Sequence, residues 1–372
     1  MIPYDYLYGL FSKHVFDKIG STGIVPLLEQ SRLSFRAVDY KSSNKNAIIL
    51  YDQEPIDLDI FFSSIYRRNA FLKSCENKLI ITSEYSQELT KCCRDYGLVE
   101  AHYFYHALLC HEWYRMYWYK NIEVTNNFDR VYITYNNLTD TKRLYRSNLI
   151  IELSKRNLLD CGYVSYNSDY YDQTIDSLSR YQLLPAAHKN NIINNTDLLK
   201  RKMVIDTEHA HGGLSAELDV AQFQRAFVSL VTETVFYENK VHLTEKIFKP
   251  IIAKVPFILM AGAGNLAYLK KYGFKTFGDF WDESYDLIQD PVQRFDAILK
   301  LLEDLSAKPQ HELEQMKLDM ADILEYNFNH FYKTMKPVVV RELIENLSIA
   351  LDKLNLTVDQ QNLLALEQAL NV

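Results

Sequence analysis

Cysteine is scarce in this 372-residue chain: Cys75, Cys92, Cys93, Cys110 and Cys161 are odd in number and include no CxxC pair. That argues against a disulfide framework or a zinc site and suits a reducing compartment. Long apolar runs are also missing. The longest candidate is interrupted by Lys254, short of the roughly 20 residues a spanning helix needs, so no membrane span is expected. The opening MIPYDYLYGLF lacks the basic region and long apolar core of a secretory signal, and a cytoplasmic location is the expectation. Sequons such as Asn137-Leu138-Thr139 and Asn194-Asn195-Thr196 then carry no meaning as glycan acceptors. Positive charge is not in excess. A formal net charge of −7 argues against a generally basic nucleic-acid binder, while leaving room for a local basic groove. No repeat or low-complexity tract interrupts the chain.

What is present is an ordinary globular composition, 48% hydrophobic and 24% charged, over a length that suggests two domains. Tyrosine is heavily used, at 27 residues, a bias also met in AT-rich phage genes. Strand-like and helix-like stretches alternate. NAIILY (Asn46 to Tyr51) and NKLIITSE (Asn77 to Glu84) read as parallel strands, each followed by a helix-capable stretch. A new unit starts near Phe128, where the strand DRVYITYNN leads into TKRLYRSNLIIELSKRNLL with helical spacing at Leu144, Leu149, Ile150, Leu153 and Leu158. The alternation predicts an α/β protein with two open parallel sheets. Ligands in such sheets bind beyond the carboxyl ends of the strands, which makes the loops there the candidate sites.

The most telling segment is LTEKIFKPIIAKVPFILMAGAGNLAYLKKYGFKTF, Leu243 to Phe277. Thr244 and Glu245 are suited to open a helix, Lys246 and Lys249 put cations in its first turns, and Pro250 falls where it should bend or tighten. Unpaired N–H groups at a helix start, with a lysine beside them, make an anion holder. Upstream, FVSLVTETVF is a β-rich run ending at Glu233; downstream, VPFILMAGAG is a second apolar run.

The order of Glu233, a loop, Thr244-Glu245-Lys246, a short helix and VPF resembles the donor-binding region of α-1,3-fucosyltransferase-like enzymes and related phage and bacterial sugar transferases. In place of the Asn that follows the acid in that family stands Thr234. The resemblance implies a GT-B fold: two Rossmann-like domains with a cleft between them, an acceptor domain over 1–127, a nucleotide-sugar domain over 128–336, and a C-terminal helical segment over 337–372 that packs back. It implies an inverting, metal-independent glycosyltransferase with a nucleotide-sugar co-substrate and no other cofactor. The acceptor would be a glycan or lipopolysaccharide-type molecule, or hydroxymethylated cytosine in phage DNA; a non-catalytic nucleotide-sugar or glycan binder is the alternative of another class. The DNA version needs a basic first-domain face, for which Arg67, Arg68, Lys73, Lys91 and Arg94 are candidates.

Residue by residue, ILYDQEPIDLDIF puts Asp52 and Glu54 directly after a strand. The tract resembles the strand and Gly-Glu-Asn loop of the fucosyltransferases, in which the acid is the base, and Glu54 lines up with it; a carboxylate can remove the acceptor proton as the new bond forms. Helix capping is the plainer reading of either acid. Lys142, Arg143 and Arg146 follow the strand-end Asn136. Arg146 is best matched to the related transferases as a diphosphate ligand, with Arg143 behind it, against the alternative of a solvated face. Glu233 is expected on donor hydroxyls, and Thr244, Glu245 and Lys246 complete the donor set. In the aromatic tract YFYHALLCHEWYR, His106, His111, Glu112 and Trp113 are acceptor-groove candidates or core. Glu208, His209 and His211 lack a third well-spaced metal ligand, and Asp57-Leu58-Asp59 imitates a DxD metal motif at the start of a helix. Asp282, Glu283 and Tyr285 are expected to brace the donor loop. From Val338 to Leu354, Leu343, Ile344, Leu347, Leu351 and Leu354 form one helical stripe.

Overall fold

A computed structural model describes residues 9–16, 18, 24–26, 36–38, 46–62, 70–203, 205 and 215–371. Arg67, Arg68, Glu208, His209 and His211 lie outside the described residues. The fold is α/β with two sheets. The chain divides into two compact units, one formed by Met1–Trp113 with Thr334–Val372 and the other by Tyr114–Lys333. The stretch 114–127 thus belongs to the second unit, and the final helices belong to the first. Among the described residues no helix is long and apolar enough to cross a membrane.

The first unit holds a five-stranded sheet in sequence order: β1 (Ile24–Pro26), β2 (Arg36–Val38), β3 (Asn46–Tyr51), β4 (Asn77–Thr82) and β5 (Val99–His102). The pairs β1/β2 and β2/β3 are antiparallel, whereas β3/β4 and β4/β5 are parallel. Successive residues Ala47 to Tyr51 are all buried, so β3 has both faces covered, as the unbroken apolar run NAIILY requires. One face packs Ala47, Ile49 and Tyr51 with Ile80 of β4, Phe61, Phe62, Leu72, Leu89 and Leu98. The helix Lys336–Lys353 lies against β5 and the helix Tyr105–Trp113. Its buried stripe is Val339, Val340, Leu343, Leu347, Ala350 and Leu351, with Ile344 only partly covered. Lys336 and Glu112 fasten this helix by an ion pair of 3.1 Å. The hydrogen bond from His111, helped by Lys336, holds the Glu112 carboxyl down at about 2.

The second unit has an all-parallel sheet in the order β7-β6-β8-β9: β6 (Arg130–Asn136), β7 (Gly162–Tyr166), β8 (Ala226–Thr232) and β9 (Phe257–Met260). Every residue of β8 and β9 is buried, so the central β8 and the edge strand β9 both have both faces covered. Tyr132 of β6 sits opposite Gly162 of β7. A Cβ at Gly162 would lie 2.3 Å from the Tyr132 ring, so the glycine is what lets that fully buried ring lie across the neighbouring strand. The chain leaves β6 for the edge strand β7, then returns past β6 to add β8 and β9 on the other side. That reversal is a topological switch point between β6 and β8, the place at which open parallel sheets bind ligands beyond the strand ends.

Candidate functional sites at the strand ends

At the switch point of the second unit, Asn136 ends β6 and Glu233 follows β8. The helix Leu144–Lys155 leads away from the β6 side, and it is here that Arg146 acts. Arg146 is only 2% exposed. Its Nη1 donates to the Leu138 carbonyl at 2.9 Å, and its Nη2 to the carbonyls of Thr232 and Glu233 at 2.8 and 3.0 Å. The planar guanidinium therefore ties the loop after β6 to the loop after β8. Tyr145 adds a donor to the Glu233 carbonyl, and burial pushes its phenol up to about 12, which keeps that proton in place. Arg143 sits in the short turn Thr141–Arg143 and is partly exposed.

The Glu233 carboxylate is fully buried and points at the next helix start. Its Oε1 accepts the Thr244 N–H at 3.2 Å, and its Oε2 accepts the Thr244 hydroxyl at 2.6 Å and the Thr234 N–H at 3.3 Å. Thr244 in turn is the N-cap of the helix Glu245–Ala253, its Oγ1 facing the Lys246 N–H. The Lys246 ammonium lies 2.8 Å from Glu245 Oε1 and 3.1 Å from Thr244 Oγ1, with its side chain 29% exposed. Glu233, Thr244, Glu245 and Lys246 are thus one hydrogen-bonded group at the helix mouth, as their order suggested. Pro250 lies inside this helix, and its missing N–H leaves the Lys246 carbonyl without an i+4 donor.

The loop joining Glu233 to Thr244 is folded in, not spread over the surface. Asn265, fully buried, donates to the carbonyls of Gly262 and Lys240 and accepts the His242 N–H. A Cβ on Gly262 would come within 2.9 Å of the Lys240 carbonyl, so this approach requires glycine. The next helix, Asn265–Lys271, has its first amides taken by the Asp286 carboxylate, at 2.9 Å to Leu266 N and 3.0 Å to Ala267 N. Glu283 similarly accepts from Lys270 Nζ, Thr276 Oγ1 and Phe277 N. The WDESYD stretch therefore braces the segments after β9, with Tyr285 reaching the Leu259 N–H.

The first unit gathers a second polar group at the carboxyl ends of β3, β4 and β5. Asp52, 1% exposed, accepts from the Tyr103 hydroxyl at 2.6 Å. His106 Nε2 lies 2.8 Å from the Gln53 carbonyl; a carbonyl can only accept, so this nitrogen carries the proton. Glu84, also 1% exposed, accepts the Ile56 N–H at 2.7 Å. Glu54 is partly exposed between these anchors. The helical turn over residues 58–62 takes Asp57 as its cap, with Ile60 N 2.9 Å from Asp57 Oδ1. His106 is buried on the inner side of the helix Tyr105–Trp113, and Trp113 at its end is partly exposed. Of the basic candidates, Lys91 forms an exposed i,i+4 ion pair with Asp95.

Tyr103, Glu84, Tyr145 and Asn265 were not singled out from the sequence. Glu84 carried the signal that flagged Asp52, an acid directly after an apolar strand. The tyrosines and Asn265 had no such mark, because their partners are main-chain groups or carboxylates distant in sequence. Comparison with known proteins gives no match among family models, curated proteins or solved structures.

Proposed function

We propose that this protein is a nucleotide-sugar-dependent glycosyltransferase of the GT-B type, with the donor bound at the switch point of the second unit. The observation that carries this reading is the reversal of strand order between β6 and β8, beside which an N-capped helix start, a partly exposed lysine and a buried acid stand together. Helix N–H groups and Lys246 suit a diphosphate; Glu245 and the Glu233 group suit donor hydroxyls. Arg146, whose donors serve three carbonyls, enters as the strut that fixes the switch point and not as the diphosphate ligand.

In the reaction, a carboxylate takes the acceptor proton as the acceptor oxygen bonds to the anomeric carbon. The bond from that carbon to the diphosphate breaks, its electron pair leaves with the diphosphate, and the anomeric configuration inverts. The acceptor is proposed to be a glycan-type hydroxyl. The test is a screen of nucleotide sugars against glycan, lipid and hydroxymethylated-DNA acceptors, read by mass, with Glu54→Gln alongside. A new product one sugar heavier, lost by about a hundredfold or more in Glu54→Gln, supports the reading. Tight nucleoside diphosphate binding with no product from any pair would instead indicate a binding module.

A further inference from the structure

Between the acid Glu233 and the helix start at Thr244 runs a segment whose main chain is held from outside. Its first carbonyl, that of Glu233, accepts from Tyr145 and Arg146, and the Val235 carbonyl accepts the Gly262 N–H at 3.1 Å. The Phe236 carbonyl accepts from Nη2 of Arg294 at 2.5 Å. We propose that Arg294 is a positioning residue for the diphosphate site at the helix mouth, setting its affinity from a distance by fixing this segment; the assignment rests on the donor-site reading above.

Arg294 belongs to the helix Pro291–Ser306 and is only 2% exposed. Its Nη1 donates to the Ile288 carbonyl at 2.6 Å and to that of Gln289 at 3.3 Å, so one planar fork joins the segment after β8 to the segment before its own helix. That second segment is itself anchored, because the Asp286 carboxylate takes the Leu266 and Ala267 amides. The guanidinium carbon lies 4.7 Å from the centroid of the Phe236 ring. That ring stacks on Tyr145 at 4.6 Å and 22°, and the Tyr145 hydroxyl returns to the Glu233 carbonyl. Arg294, Phe236, Tyr145 and Glu233 are thus in unbroken contact, and the last three are fully buried. At the end of this path the Glu233 carboxylate holds Thr244, the cap of the helix that carries Lys246. Burial lowers the Arg294 guanidinium to about 10, so it is charged at neutral pH. A buried charge set on carbonyls is a costly way to fill a core that apolar residues would fill as stably, whereas its fork fixes two chain segments at one distance. Its work is therefore one of position rather than of cohesion.

The test uses the full chain with Arg294→Lys, Phe236→Leu and, as a control, Leu302→Ala, at a fully buried position on the same helix. Uridine and guanosine diphosphate binding is read by calorimetry, and amide exchange is read at Gly262, whose N–H sits on the Val235 carbonyl. Arg294→Lys is expected to speed exchange at Gly262 and to weaken diphosphate binding by about three- to thirtyfold. Phe236→Leu, which keeps the arginine and the main chain, should act in the same direction. Leu302→Ala removes core contacts and should leave the affinity at the wild-type value. In a Lys246→Ala background Arg294→Lys should cost well under its single-variant effect, because both changes act on one site. Wild-type affinity in folded Arg294→Lys, full additivity with Lys246→Ala, or an equal loss in Leu302→Ala overturns the positioning role and leaves the donor site in place. If Arg294→Lys does not fold, the same comparison of Phe236→Leu with Leu302→Ala decides. Absence of binding of either diphosphate to the wild-type protein overturns the donor-site reading and, with it, the role of Arg294.

Discussion

The two sheets of this chain solve the same problem, holding polar groups at the carboxyl ends of parallel strands, by different means. In the first unit β3, β4 and β5 follow one another in order, so the topology opens no crevice, and the loop after β3 is held by side chains from the segments that follow β4 and β5. In the second unit the order reverses between β6 and β8, and the connections part on their own. There the side-chain work is to keep the parted loops from closing or drifting, which Arg146 does with bonds to carbonyls of both. One site is set by acid and phenol pairs on a single loop. The other is set by strand order, with an arginine strut and a helix start added to it.

The comparison breaks most visibly if Arg146 is a ligand and not a strut. Arg146→Leu leaves the buried carbonyl of Thr232 and the partly buried carbonyl of Leu138 without their charged donor, and the expected loss of unfolding free energy is about 3 to 5 kcal/mol. Arg146→Lys should recover little, because a single ammonium cannot span carbonyls that a planar fork reaches together. Urea denaturation measures both. A loss under about 1 kcal/mol combined with abolished nucleoside diphosphate binding would place Arg146 on the ligand instead.

Much of this frame was legible in the sequence, and what was not has a physical reason. The runs NAIILY, NKLIIT, VYITY and FILM became strands because buried parallel strands need unbroken apolar stretches. Thr244 became an N-cap because its hydroxyl can accept from the helix start. The antiparallel pair β1 and β2 went unread, since strands of three residues carry no period. The fate of Arg146 was equally hidden. Lys142, Arg143 and Arg146 look alike in sequence, yet the first two are partly exposed and Arg146 is buried, because only the third faces carbonyls that long-range strand order brings to it. Strand order itself is a property of non-local pairing, which local pattern does not encode.

Lys246 should behave in the opposite way to Arg146. Its ammonium is partly exposed and paired with an adjacent acid, so Lys246→Ala should change stability by less than about 0.5 kcal/mol. If the helix mouth holds a diphosphate, the same change should weaken uridine or guanosine diphosphate binding by about 1.5 to 3 kcal/mol in calorimetry. Equal affinity in a folded variant would remove the lysine from the site and leave the switch point without its cation.

In the first unit, Tyr103→Phe keeps the ring in the core and deletes the hydroxyl that reaches Asp52. The buried carboxylate loses a short bond, at an expected cost of about 1 to 2 kcal/mol. If Tyr103→Phe is neutral at pH 7, side-chain clamping is not what orders this loop, and the contrast between the two units fails on its first side.

The smallest expected effect is a difference in how the units respond to pH. Burial raises the Glu100 carboxyl on β5 from its ordinary value to about 7, so between about pH 4.5 and 7 the folded state binds more protons than the unfolded one. Its contribution to stability is present at the acid end of that window and lost as pH rises through it. In the second unit, burial lowers the Lys317 ammonium to about 7, its Nζ donating to the Ala226 carbonyl at the start of β8. Here the unfolded state holds the extra proton between about pH 7 and 10.5, and stability rises with pH across that window. The His188 imidazole, lowered by burial to about 4, likewise loses stability for the second unit as pH falls from about 6.5 to 4. Glu100→Gln should therefore gain on the wild type from pH 5 to 7 by on the order of 1 kcal/mol, allowing for the solvent that reaches a partly exposed carboxyl. Lys317→Met should gain most at pH 7 and below, and its advantage should fade towards pH 10. Thermal unfolding of the wild type and both variants at pH 5, 7 and 9.5 measures these slopes, and parallel curves for Glu100→Gln and the wild type would mean that the β5 carboxyl is as well hydrated when folded as when unfolded.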